Sequence, residues 1–188
     1  MTLQKAGTKV DYTITYLEMT DCPSYDWPHL PVGSTAALLK AEGPPVWWFL
    51  TLYDAVGRDY AWEDIHRLEH DQIQEWLTAD TMSLYTLFDH GWPQGFFMLE
   101  DVGDGVFDLS YFGMVPEAVG RGLGGWLLKT AILTAWTRDG IDKLTVNTCT
   151  LDHPRALAVY QKNGFKPVRQ EKTSRVLTRD RDLSRIPS

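Results

Sequence analysis

The stretch Val119-Gly120-Arg121-Gly122-Leu123-Gly124-Gly125 follows an apolar run ending Phe112-Gly113-Met114-Val115-Pro116 and opens a long helical pattern. A strand, a glycine turn and a helix start in that order make an anion site. Glycine lets the main chain approach a ligand, and the first-turn amides of a helix have no internal partner. The chemistry on offer is recognition of a diphosphate. Two other phosphate turns fail on their residues. A dinucleotide fingerprint needs an acid about twenty positions on, at the end of the next strand, whereas Asp142 stands at a strand's start. A P-loop needs Gly-Lys-Ser/Thr, and Gly124-Gly125-Trp126 has neither the lysine nor the hydroxyl.

Residues 121–128 read RGLGGWLL and residues 152–165 read DHPRALAVYQKNGF. In this order and spacing the two segments resemble the GNAT superfamily of acyl-CoA N-acyltransferases. Its signature is Gln/Arg-x-x-Gly-x-Gly/Ala followed by Asn-x-x-Ala-x-x-x-Tyr-x-x-x-Gly-Phe. Gly122 and Gly124 match the first motif; Ala156, Tyr160, Gly164 and Phe165 match the second. Val119 stands where the family prefers Gln or Arg, and His153 stands where it prefers Asn, a residue that often contacts the pantetheine arm. The likeness covers residues 105–168.

The resemblance implies an α/β GNAT fold, a mixed and mostly antiparallel sheet flanked by helices. It also implies acetyl-CoA as cosubstrate and direct transfer of the acetyl group to a primary amine of a small molecule or peptide, through a tetrahedral intermediate. Gly120, Arg121, Gly122, Leu123, Gly124 and Gly125 would hold the diphosphate, with His153 and Ala156 beside the arm. Main-chain N–H groups from Phe112 to Val115, Met114 included, would polarise the thioester carbonyl. Tyr160 falls in the general-acid position, two helical turns after His153 and on the same face. Asp108 aligns with the glutamate that acts as general base in some members, and strict alternation puts it on one side of its strand with Ser110, Phe112 and Met114. A non-catalytic acyl-CoA sensor or interaction module on the same fold is the alternative, motivated by His153. Acyl chain length, acceptor identity and oligomeric state stay open, a homodimer included.

Other candidates carry less. Cys149 has no basic neighbour in sequence to make it a thiolate, so it reads as a strand residue. With Cys22 it is one of two cysteines, too few and too far apart for a metal cluster or a disulfide framework. His66, His70 and His90 lack metal-ligand spacing. The aromatic cluster Trp47-Trp48, Tyr53 and Tyr60-Ala61-Trp62 reads as core, with an aromatic-lined cleft as its alternative. The acids Asp59, Glu63 and Asp64 beside it would suit a cationic acceptor.

A net charge of −7 excludes a sequence-independent nucleic-acid binder. Asp59 to Asp80 is an acidic segment, whereas Val119 to Lys166 holds seven bases (Arg121, Lys129, Arg138, Lys143, Arg155, Lys162, Lys166) against three acids, so an anion is steered to the second. Val46 to Val56 is too short and interrupted to span a bilayer, and no apolar leader opens the chain, so no membrane partner and a cytoplasmic location are expected.

These residues need elements to position them. Val10 to Met19 reads as a strand and Thr20 to Gly33 as a loop. Val46 to Val56 is ambiguous but leans to helix, and His70 to Leu77 is a short helix. Ser83 to Asp89 and Gly95 to Glu100 are strands joined by a longer loop through Gly91-Trp92-Pro93, and Val106 to Val115 is a third. Leu123 to Asp139 is the strongest helix, apolar on two sides and therefore covered by the sheet and by another helix. Leu144 to Cys149 is a strand, Pro154 to Asn163 a helix, and Phe165 to Val176 a final strand or hairpin. One domain is expected over residues 1–177, with an acceptor half about 1–104 and a CoA half about 105–177. The charged Thr178 to Ser188 is expected to be a flexible tail.

Overall fold

The computed structural model describes residues 3–186. In chain order its elements are β1 (Leu3–Gln4), β2 (Lys9–Met19), β3 (Ala37–Lys40), α1 (Val46–Gly57), α2 (His70–Thr78), β4 (Met82–Asp89), β5 (Trp92–Gly103), β6 (Val106–Met114), α3 (Leu123–Trp136), β7 (Lys143–Cys149), α4 (Ala156–Lys162), β8 (Lys166–Val176) and β9 (Arg181–Asp182). Seven strands form one mixed sheet in the order β3-β4-β5-β6-β7-β2-β8, and β1 pairs with β9 in a small second sheet. Every pair in the large sheet is antiparallel except β6 with β7.

The ambiguous apolar stretch at 46–56 is a helix because Phe49, Leu52, Tyr53 and Val56, spaced to share one face, are all buried. On α3, Leu127, Leu128, Ala131, Ile132 and Ala135 are buried in the same core. The loop after β2 also packs on α3, through the Trp126 indole N–H, which donates to the Pro28 carbonyl at 2.8 Å, and the Lys129 ammonium, which lies 5.0 Å from the centre of the Tyr25 ring. A loop can do this because its backbone is satisfied locally and by such side chains.

Three further expectations change. The turn between β4 and β5 is the two-residue His90-Gly91, both at positive φ as a tight hairpin requires, so Trp92 and Pro93 already belong to β5. A strand the sequence analysis did not assign, β3, borders β4, and β2 sits between β7 and β8, with β7 separating it from the β4–β6 meander.

The third change concerns the segment 178–188, expected to be a flexible tail; residues 178–186 are folded back onto the molecule. Arg181 is buried and donates to the carbonyls of Asp59 and Leu151, both at 2.7 Å, and to Gln4 at 3.0 Å. Arg179 bonds Asp54 at 2.7 Å and the Trp62 carbonyl at 2.8 Å. A charged segment without an apolar face can still dock where its guanidinium groups satisfy buried carbonyls. Pro187 and Ser188 lie outside the described residues.

Candidate active site

The site follows from a defect in the sheet. β6 and β7 pair only over Val106–Asp108 against Lys143–Thr145. Beyond that point they part, and Pro116, which has no N–H, ends the ladder just past β6. A cavity of about 730 Å3 opens there, flanked by Leu109 to Met114 on one strand and Asn147 to Cys149 on the other. Its lining includes the glycine turn, Tyr160, and an aromatic and acidic group formed by Tyr60, Trp62, Asp64 and Tyr111.

In the turn, Gly120, Gly122, Gly124 and Gly125 line the cavity. Gly120 and Gly122 have φ of +84° and +83°, which only glycine adopts without strain. Gly122 is the residue before α3, with no side-chain cap and no acid in the first turn, so the helix's opening amides are left for a ligand. A β-carbon at Gly120, Gly122 or Gly125 would meet nothing within 4 Å, so the space above this turn is open. These features fit a diphosphate.

The expected site residues divide into those that reach the cavity and those that do not. Phe112, Met114, His153, Ala156 and Tyr160 line it. Tyr160 is 7% exposed, with its ring edge-on to Phe112 and Phe165 at 6.2 and 5.8 Å. Burial, then the charges of Asp152 and Asp108, push its phenol well above the ordinary tyrosine range, so it holds its proton. Val115 is a correction: its N–H donates to the Gln94 carbonyl at 2.9 Å, and by strand alternation the N–H groups free to face the gap are those of Phe112 and Met114. Arg121 is exposed outside the lining and the Leu123 side chain is in the core.

Asp108 is the second correction. The register of β6 on β5 jumps from Tyr111 opposite Met98 to Leu109 opposite Leu99, leaving Ser110 as a bulge. Asp108 therefore pairs with Glu100 and Phe112 with Phe97, positions three apart on β5 and so on opposite faces. Alternation fails here because one extra residue flips everything beyond it. The carboxyl lies at the vertex of the splay, outside the cavity lining, accepting a bond from the Thr145 hydroxyl at 2.5 Å. Burial raises its pKa, more than the Thr145 and Ser110 hydroxyls lower it, and Glu100 adds to the rise.

The aromatic cluster divides. Tyr53 is core, Tyr60 and Trp62 line the cavity, and Trp47 is 65% exposed. The Asp64 carboxylate accepts from Tyr53 at 2.8 Å and Tyr111 at 2.5 Å, and burial followed by that carboxylate pushes both phenols upward. Asp59 and Glu63, expected beside a cationic acceptor, are buried outside the cavity lining. Trp62 donates to Asp152 at 3.1 Å, tying the acceptor half to the turn after β7, where Asp152 also accepts from Thr148 Oγ1 and the Cys149 N–H, each at 2.8 Å. Of the acids expected to suit a cationic acceptor, Asp64 lines the cavity; Tyr111, Asp152 and Arg175 line it without having been singled out. Only Asp152, the acid directly before the second motif, carried a local signal. Cys149 is partly buried, and burial with Asp152 nearby lifts its thiol to about 11, so it is no nucleophile at neutral pH. Among the described residues no cluster of three metal-ligating side chains occurs, and no helix is long and apolar enough to cross a membrane.

Comparison with known proteins meets the same region. The family model for the acetyltransferase (GNAT) family matches residues 19–165. No curated protein is similar in sequence. Among solved structures, a GCN5-related N-acetyltransferase from Kribbella flavida superposes with a TM-score of 0.55 at 16% identity, over 92% of this chain and 58% of that one. Another from Sphaerobacter thermophilus gives 0.55 at 14%, over 96% and 53%. This chain therefore spans little more than half the length of either. An aminoglycoside N-acetyltransferase in complex with CoA gives 0.52 at 20%, over 75% and 95%. At these identities the structures share the fold. The family match is the stronger finding, because it covers most of the chain, including the glycine turn, the parted strands and Tyr160, and by it the chain belongs to the GNAT acetyltransferase family.

Proposed function

We propose that this protein transfers an acetyl group from acetyl-CoA to a primary amine of a small molecule or peptide. The observation that carries the reading is the continuity of the cavity. One space is lined both by an open glycine turn suited to a diphosphate and by an acidic aromatic group suited to an amine, and Tyr160 belongs to the same lining.

Each residue then has a physical task. The amides of residues 120–125 bind the diphosphate. The outward N–H groups of Phe112 and Met114 stabilise the negative charge that develops on the carbonyl oxygen as the amine attacks. Tyr160, protonated at neutral pH, donates to the departing thiolate. An ammonium must lose a proton before attack, and Asp108 takes it through intervening water, since its carboxyl does not line the cavity.

Incubation with acetyl-CoA and a panel of amines should release free CoA. Tyr160→Phe should slow turnover by about 10²-fold or more while leaving CoA affinity within about twofold. Tight CoA binding with no release across the panel would overturn the reading.

A further inference from the structure

We propose that the acceptor carries a carboxylate beside its amine and that Arg175 receives it; this deepens the reading above and rests on it. The charged side chains lining the cavity are Asp64, Asp152, Arg155 and Arg175, besides His153. Asp152 already accepts three hydrogen bonds, and Arg155 sits at the start of α4 on the CoA side. Arg175 reaches in from β8, a strand whose side chains are otherwise mostly exposed.

The surroundings of Arg175 are those of a preset anion receptor. Its Nε donates to the Tyr12 hydroxyl at 3.3 Å, its Nη1 donates to the Ala61 carbonyl, and the guanidinium carbon lies 5.1 Å from the centre of the Tyr12 ring. Both acceptors are neutral. Among the described residues Arg175 makes no ion pair, and its Nη2 has no hydrogen-bond acceptor. Burial works against its charge, but the Tyr12 hydroxyl and the charges of Glu63 and Asp64 outweigh it; neither acid forms an ion pair with it, Glu63 Oε1 taking the Thr178 N–H at 3.1 Å and Asp64 being held by two phenols. A partly buried guanidinium fixed by neutral groups, with donors to spare, matches a carboxylate in two-point geometry. Asp64 in the same cavity complements the ammonium. The cavity thus presents both signs, which suits an amino acid better than a simple amine.

The test measures binding, by calorimetry on protein saturated with CoA, for the twenty common amino acids, 4-aminobutyrate and 6-aminohexanoate, and the decarboxylated amine of each binder. At least one carboxylate-bearing amine should bind, and its decarboxylated partner at least tenfold more weakly. Arg175→Gln should bring the two within twofold with CoA affinity unchanged, and Arg175→Lys should restore part of the preference. Binding of no carboxylate-bearing amine, a decarboxylated partner that binds as tightly, or a preference that survives Arg175→Gln would overturn it. Should Arg175→Gln fail to fold, the wild-type comparison and Arg175→Lys still decide. A protein that makes this distinction without releasing CoA from acetyl-CoA would refute acetyl transfer and leave the clamp standing; turnover of amines regardless of a carboxylate would do the reverse.

Discussion

Gly125 is a glycine without an internal reason. It lies in the first turn of α3 at an ordinary helical φ, and a β-carbon there would touch nothing within 4 Å. Alanine should therefore stabilise the helix by about 0.5–1 kcal/mol, while weakening CoA binding if the diphosphate approaches the main chain there. A melt and a CoA titration on Gly125→Ala read both signs together, and unchanged affinity would place the diphosphate elsewhere. Asp108 gives a second expectation. Its folded pKa is raised, so its neutral form favours the fold at low pH and its ionised form costs stability as pH rises through that value. As a base it must be ionised, so kcat/KM should fall as pH drops through a limb above the ordinary 3.8. Asp108→Asn should lower the rate and abolish that limb without lowering the melting temperature at neutral pH. Tyr160 and the glycines were legible in sequence because their neighbours form one local motif. Asp64, Tyr111 and Arg175 come from three distant segments and meet only through the fold.

Among the elements, the legible ones are those whose pattern is local: α1, α2, α3 and the meander β4 to β6 follow from periodicity. What escaped depends on partners. The Ser110 bulge is a property of the β5–β6 register, and nothing in Asp108-Leu109-Ser110-Tyr111 announces it. The docking of residues 178–186 depends on carbonyls of Asp59 and Leu151 that no charge pattern reveals. Arg181→Ala would leave those carbonyls without a donor and should destabilise by about 1–3 kcal/mol, measured by urea unfolding. The same segment confers a pH dependence. Burial tends to raise the pKa of Asp54, but hydrogen bonds from Arg179 and His66 outweigh it and leave the carboxyl below its usual 3.8. A lowered folded pKa means stability present above the unfolded value and lost as pH falls through the folded one. The acid loss of stability should be shallower in Arg179→Ala, and an unchanged slope would detach Asp54 from it.

For the whole molecule the issue is cohesion. β3-β4-β5-β6 and β7-β2-β8 are two half-sheets joined by three parallel residue pairs, with the cavity where they part. So short a seam would suit two units that melt separately, but the core argues otherwise. One cluster of buried residues includes Leu17 and Met19 of β2, Phe49 and Leu52 of α1, Phe96 and Met98 of β5, Leu127 and Ile132 of α3, and Leu144 and Val146 of β7. A shared core makes partial unfolding expose apolar surface on both halves, at about 25 cal/mol per Å2, so no half should persist alone. Tryptophan fluorescence weights the first half, since six of the eight tryptophans precede residue 97, whereas circular dichroism averages over the chain. The two midpoints should coincide in urea. CoA, binding only the assembled cavity, should shift both together, by about 2.7 kcal/mol at a hundredfold excess over Kd. Separate midpoints, or a CoA shift confined to one probe, would mean that the halves fold as independent units and that the cavity is an interface between them.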